Sequence, residues 1–120
     1  MAFKQEMKGD VVLISIEDER LDAHNSNELK EHIQTQLENS VTHIVVDLSQ
    51  VRFLDSSGLG ALVTGFKNAR SSDGDLKLTG IAAQVESILK LTRLYRVFPI
   101  YNNIDEAIAG FDQKEPGDGE

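Results

Sequence analysis

His43-Ile44-Val45-Val46-Asp47-Leu48-Ser49-Gln50-Val51-Arg52-Phe53-Leu54-Asp55-Ser56-Ser57-Gly58-Leu59-Gly60-Ala61-Leu62 decides how this chain folds and where its function is to be sought. Ile44, Val45, Val46 and Leu48 form a short, mostly β-branched apolar run, the pattern of a strand covered on both faces and therefore placed inside a sheet. Leu59, Leu62, Val63 and Phe66 then recur at i, i+3, i+4 and i+7, which marks one apolar face of a helix. The helix begins near Ser56, and either Asp55 or Ser56 supplies its cap, since both side chains accept bonds from the first orphan amides. Asp55-Ser56-Ser57-Gly58 thus sets a hydroxyl beside unpaired backbone N–H groups, a place suited to a phosphate.

Alone, such a string is most often only a helix cap. Glycines at 58, 60 and 65 complicate that account, because each costs a helix interior about 1 kcal/mol relative to Ala. Gly58 and Gly60 either permit tight packing against the sheet or clear a flat face near Ser56 for a partner. A phosphoserine here would add roughly −1.5 to −2 charge and three acceptor oxygens. The helix dipole favours it by about 0.3–1 kcal/mol while Asp55 opposes it, so the domain is little affected. A docked partner is affected more. Like charges brought together in a desolvated interface cost several kcal/mol, and about 1.4 kcal/mol already changes affinity tenfold.

The chain has 120 residues and 40% hydrophobic content, enough for one core and too little for two ordinary domains. Twelve basic against twenty acidic residues give a net charge of −8, which argues against nucleic acid and anionic membranes and suits a protein that meets basic surfaces. That hydrophilic surface favours a monomer meeting its partner transiently. No apolar run approaches a membrane span, and Met1-Ala2-Phe3-Lys4-Gln5-Glu6 lacks a signal-peptide core, which predicts a cytoplasmic protein. Without cysteine there are no disulfides, no thiolate catalysis and no Cys-ligated zinc.

Phe3 to Met7 and Val11 to Ile16 read as two strands of a hairpin turning at Gly9-Asp10. Leu29, Ile33 and Leu37 define a first helix, for which Asn25 and Glu28 have capping-box spacing. Ser71-Ser72-Asp73-Gly74 is a turn, and Leu76, Leu78 and Ile81 mark a further strand. Val85, Ile88, Leu89 and Thr92 form a helical face, and Val97 to Tyr101 is a last strand that Pro99 confines to an edge. Ile104, Ala107, Ile108 and Phe111 close the fold with a helix capped by Asn102 or Asn103. The order β-β-α-β-α-β-α-β-α implies an α/β fold with a mixed sheet and helices stacked on it, because parallel strands need helical crossovers. Residues 113–120 are polar, acidic and contain Gly and Pro, a composition that predicts a disordered tail.

The chain resembles the STAS domain family and, within it, the bacterial anti-sigma factor antagonists. Val45-Val46-Asp47-Leu48-Ser49-Gln50-Val51, followed by Phe53-Leu54-Asp55-Ser56-Ser57-Gly58-Leu59-Gly60, resembles the family's strand and phosphorylation motif almost throughout. Leu21-Asp22 looks like its Leu-Asp element, and Asp105-Glu106-Ala107-Ile108 like its final helix. Two departures concern turns: Glu19 and Arg93-Leu94 stand where the family often has Gly. The resemblance implies a STAS-type mixed sheet of about five strands with about four helices, in a domain covering 1–112. It further implies partner switching. The unphosphorylated chain binds an anti-sigma factor serine kinase and releases that kinase's target, phosphorylation at Ser56, rather than its neighbour Ser57, ends binding, and a PP2C-type phosphatase restores it. Asp22, Asp55, Ser57, Gly58, Leu59 and Gly60 are the positions expected at the partner contact. The alternative is a STAS module serving as a nucleotide-binding sensor or a transporter accessory subunit.

No competing chemistry is visible. His24, His32 and His43 lack a second histidine at i+3 or i+4, so no metal site is expected. Asp22 and Asp55 converge on one edge of the sheet, where turn capping and partner contact suit them better than acid–base work. There is no P-loop and no G-x-S-x-G elbow, and the chain is expected to be neither an enzyme nor dependent on a cofactor. Lys67 and Arg70 complement the dipole at the far end of the serine helix, and Tyr95 and Phe98 belong to the core or its rim.

Overall fold

The computed structural model describes residues 3–111; the tail expected at 113–120, and residue 112 at the expected domain end, lie outside the described residues. Strands β1 (Phe3–Lys8) and β2 (Val11–Ile16) pair antiparallel around Gly9, whose φ of 66° lies in the left-handed region that a tight turn requires. Next come β3 (Arg20–Leu21), α1 (Ser26–Glu38), β4 (His43–Asp47), β5 (Phe53–Leu54) and α2 (Ser56–Ser71). Then β6 (Asp75–Thr79), α3 (Ala83–Leu91), a 3₁₀ turn at Leu94–Arg96, β7 (Ile100–Tyr101) and α4 (Ile104–Ala109) complete the fold. The main sheet has the order β1-β2-β4-β6-β7, antiparallel at the β1–β2 hairpin and parallel elsewhere.

Alternation along the strands divides the core in two. Val12, Ile14, Ile16, Ile44, Val46, Leu76 and Leu78 face a layer built from α1, α2 and α3, among them Leu29, Ile33, Leu62, Val85 and Leu89. Val11, Leu13 and Val45 face the opposite way and are covered by Ala107, Ile104 and Ile108 of α4 and by Phe111 just after it. The run at 44–46 is therefore covered on both faces, as its lack of polar alternation requires.

Five local expectations are corrected or resolved. The last strand does not start at Val97. The chain takes a 3₁₀ turn through Leu94–Arg96, Phe98 plugs the core against Phe66 with ring centroids 5.3 Å apart, and only Ile100 and Tyr101 join the sheet edge. Arg93, at one of the positions where the family often has Gly, adopts φ 62° to begin that turn. The capping box at α1 is not made: Asn25 occupies the cap position, but its side chain makes no capping bond. Its carboxamide instead accepts from the Asp22 amide at 3.0 Å and donates to the Arg20 carbonyl at 2.8 Å. α4 resolves the choice at its start, with Asn103 accepting from the Glu106 amide at 2.8 Å. Finally, two strands escaped the reading. β3 and β5 pair in parallel, Arg20 with Phe53 and Leu21 with Leu54, as a separate two-stranded ladder.

Candidate functional site

The β3–β5 ladder builds the site. The Glu19 carbonyl accepts from the amides of Arg52 (2.7 Å) and Phe53 (3.0 Å), and the Asp55 amide approaches the Leu21 carbonyl at 3.4 Å. Because the two strands run parallel and in register, the next residues, Asp22 and Asp55, emerge side by side at one end of the ladder. The sequence expectation that these carboxylates converge on one edge is met in that sense, though each is engaged locally. Asp22 accepts from the His24 amide at 3.0 Å and lies 3.4 Å from the Arg20 Nε. Asp55 accepts from the Gly58 amide at 2.9 Å.

That last bond resolves the cap of α2. Asp55 is the N-cap, with extended backbone at φ −102° and ψ −174°, and its own carbonyl accepts from the Leu59 amide at 2.9 Å. Ser56 and Ser57 become the first two helical residues. Both are exposed, and theirs are the amides left without an intrahelical partner once Gly58 is served by Asp55. Their hydroxyls stand where a phosphoryl group is both accessible and favoured by the dipole.

The two glycines of this turn separate cleanly. At Gly58 an added Cβ would collide with the carbonyl of Leu21, so this buried glycine seats the helix on the ladder. At Gly60 an added Cβ would meet nothing within 4 Å, so this glycine leaves the exposed face open. Gly65 belongs with Gly58: its Cβ would lie 2.7 Å from Ile33 Cδ1 and 3.2 Å from Leu76 Cδ1, which brings α1, α2 and β6 together. Consequently the most buried residues of α2 are Gly58, Ala61, Leu62, Gly65 and Ala69. Leu59, Val63 and Phe66 lie partly buried at the margin of that face, packed against the core.

Two residues beside the serines were not foreseen. Phe53 is 49% exposed, and the Arg20 guanidinium lies over its ring, 4.9 Å from the centroid. Such a pair is worth about 0.5–1 kcal/mol at an exposed position, so it orders a flat apolar and cationic surface on the ladder that leads into α2. A two-residue strand has no periodicity to read, and only the parity of the ladder places Arg20 opposite Phe53.

The remaining candidates lie elsewhere. His32 meets the Phe3 ring edge-on at 5.3 Å, and His43 stacks on Phe111 at 4.6 Å. Among the described residues no group of His, Asp and Glu is placed to hold a metal ion, and no helix is long and apolar enough to cross a membrane. Arg70, in the last turn of α2, lies 3.8 Å from the Asp75 carboxylate. Lys67 is exposed, and half-exposed Tyr95 lines a shallow groove with Ile81 and Ile100.

Comparison with known proteins is consistent with this geometry. A family model described as the STAS domain matches residues 3–107. A protein of Thermotoga maritima named as a candidate anti-sigma factor antagonist is 33% identical over 100 residues, which span 82% of this chain and 88% of that one. The anti-sigma F factor antagonist of Paenibacillus polymyxa is 29% identical over 84 residues, 69% of this chain and 72% of that one. The crystal structure of a candidate anti-sigma factor antagonist from Thermotoga maritima superposes with a TM-score of 0.86 at 30% identity, over 92% of this chain and 95% of that one.

Proposed function

This chain belongs to the STAS domain family, and on that premise we propose that it is an anti-sigma factor antagonist switched by phosphorylation of Ser56. The observation that carries the proposal is the division of labour at the start of α2. Asp55 caps, Gly58 packs, and Ser56 is left exposed with its hydroxyl free of any structural duty. The names borne by its relatives support the same reading.

In the unphosphorylated state the partner is an anti-sigma factor with serine kinase activity. It docks over Ser56, Ser57 and the open face at Gly60, with Asp22, Asp55 and the Arg20–Phe53 pair at the margin. Gly58 and Leu59 contribute from beneath, by fixing where the helix starts. Docking releases the partner's target. The Ser56 hydroxyl oxygen then attacks the γ-phosphorus of ATP held with Mg²⁺ by the kinase; the bond to the bridging oxygen breaks, ADP leaves, and a base on the kinase takes the serine proton. This chain is the substrate of that step and not its catalyst. The added charge lands inside a desolvated contact beside the Asp55 carboxylate, where stripping water from two adjacent anions costs several kcal/mol and ends the complex while the fold stands. A PP2C-type phosphatase restores the starting state.

Incubation with the cognate kinase and ATP is expected to add one phosphoryl group per chain, read by mass spectrometry, and Ser56→Ala to abolish it. Full labelling of that variant would overturn the assignment. Ser56→Asp is expected to weaken kinase binding tenfold or more, an effect largest at low salt; an unchanged Kd there would contradict the charge mechanism.

A further inference from the structure

A groove of about 320 Å³ runs between the first turns of α1 and α2. Ser26, Asn27 and Lys30 line it from α1, and Ser56, Ser57 and Thr64 from α2. Within α1 these positions are one, three or four residues apart and within α2 one, seven or eight, so each set shares one face and the two faces look at each other. The lining holds one cation and no carboxylate, although the whole chain carries a net charge of −8.

Two further observations point to an anion. Ser26 is only 5% exposed, yet it lines the groove and its hydroxyl has no hydrogen-bond partner among the described residues. A hydroxyl on a largely buried residue that opens onto the groove is a donor free to serve an acceptor held there. In addition, Asn25 has turned its carboxamide to Asp22 and Arg20, so no side chain caps α1, and the early amides of Asn27 and Glu28 lack an intrahelical acceptor.

We propose that this groove is an internal phosphate cradle. Lys30 and the Ser26 hydroxyl, with the uncapped start of α1, receive the phosphoryl group placed on Ser56. The inference rests on the assignment of Ser56 as acceptor and adds what becomes of the phosphate afterwards. Held across the groove, the phosphate is paired within the chain, and the two helix starts are tied together by the modification. Lys30 is then a positioning residue of the phosphorylated state, with no part in the unmodified fold.

The test uses the full chain with phosphoserine installed at position 56 by genetic encoding, so it does not depend on any kinase. A ³¹P NMR titration reads the second ionisation of the phosphate, whose ordinary value is about 6. A neighbouring ammonium favours the dianion, so the titration midpoint is expected below that value, with Lys30→Gln raising it by about half a unit or more and Lys30→Arg holding it low. Superimposable titrations of the parent and Lys30→Gln would overturn the cradle. As a second reading, the phosphorylated chain should melt higher than the unmodified one, and Ser26→Ala should reduce that difference. If Ser56→Ala keeps its kinase labelling while the installed phosphate still titrates low, the acceptor assignment fails and the cradle stands as a phosphate site.

Discussion

Gly58 and Gly60 stand two positions apart near the start of one helix and do opposite things. Gly58→Ala drives a methyl into the carbonyl of Leu21, a backbone atom that cannot yield without opening the β3–β5 ladder. The expected loss is about 1–3 kcal/mol in urea unfolding, despite the better helix propensity of Ala. Gly60→Ala places the same methyl in open space. It is expected to raise stability by up to about 1 kcal/mol and, if the open face is the docking surface, to weaken kinase binding at the same time. The two substitutions therefore separate packing from clearance, which the bare pattern Gly58-Leu59-Gly60 leaves together. Asn25 teaches the same lesson in another way. Its position at the start of α1 was legible, but its side chain faces three acceptable partners, and the turn geometry at Asp22 decided among them.

Among the elements, α4 is the least self-sufficient. It has six residues, far below the length at which an isolated helix persists. It is held to the sheet by Ala107 and its neighbours and by an unexpected side chain, Lys77. Lys77 sits on β6 opposite Val45, 2% exposed, at a position where the strand pattern calls for an apolar residue. Its ammonium lies 3.2 Å from the Tyr101 hydroxyl and 3.5 Å from the Asp75 carboxylate. It also lies over two rings, 5.1 Å from the centroid of Tyr101 and 4.7 Å from that of Phe111. One cation thus links β6, β7 and Phe111 in the turn that follows α4. Asp75 is partly exposed and also faces Arg70, so removing the lysine charge does not strand a buried carboxylate. Lys77→Met, close in volume, is expected to stay within about 1.5 kcal/mol of the parent in chemical denaturation. Lys77→Ala leaves a void among the same rings and is expected to cost about 2–5 kcal/mol. If the two variants are equally unstable, the charge and not the packing carries the contact.

At the scale of the molecule, a net charge of −8 surrounds a site whose groove is locally cationic. Long-range attraction to a basic partner is screened beyond about 10 Å at 0.1 M salt, whereas contacts in the docked interface are not. Raising ionic strength from about 0.05 to 0.5 M is therefore expected to slow association with the proposed kinase partner several-fold and to change dissociation little, as stopped-flow mixing would show. Acceleration with salt would mean that the docking face, and not the overall charge, governs encounter.

The sequence by itself determined the order of the main elements, the hairpin at Gly9, the buried character of β4, the edge position of β7 and the place of Ser56 at a helix start. These are legible because alternation, helical periodicity, turn residues and caps act over a few neighbouring positions. The tertiary structure alone decided the rest. It paired β3 with β5, drew Arg20 over Phe53, turned Lys77 inward and set Lys30 and Ser26 across from the serines. Each of these joins residues distant in the chain through a ladder two residues long, a single side chain or a facing helix. No local period encodes such a meeting, because it exists only once the sheet has fixed where every segment ends.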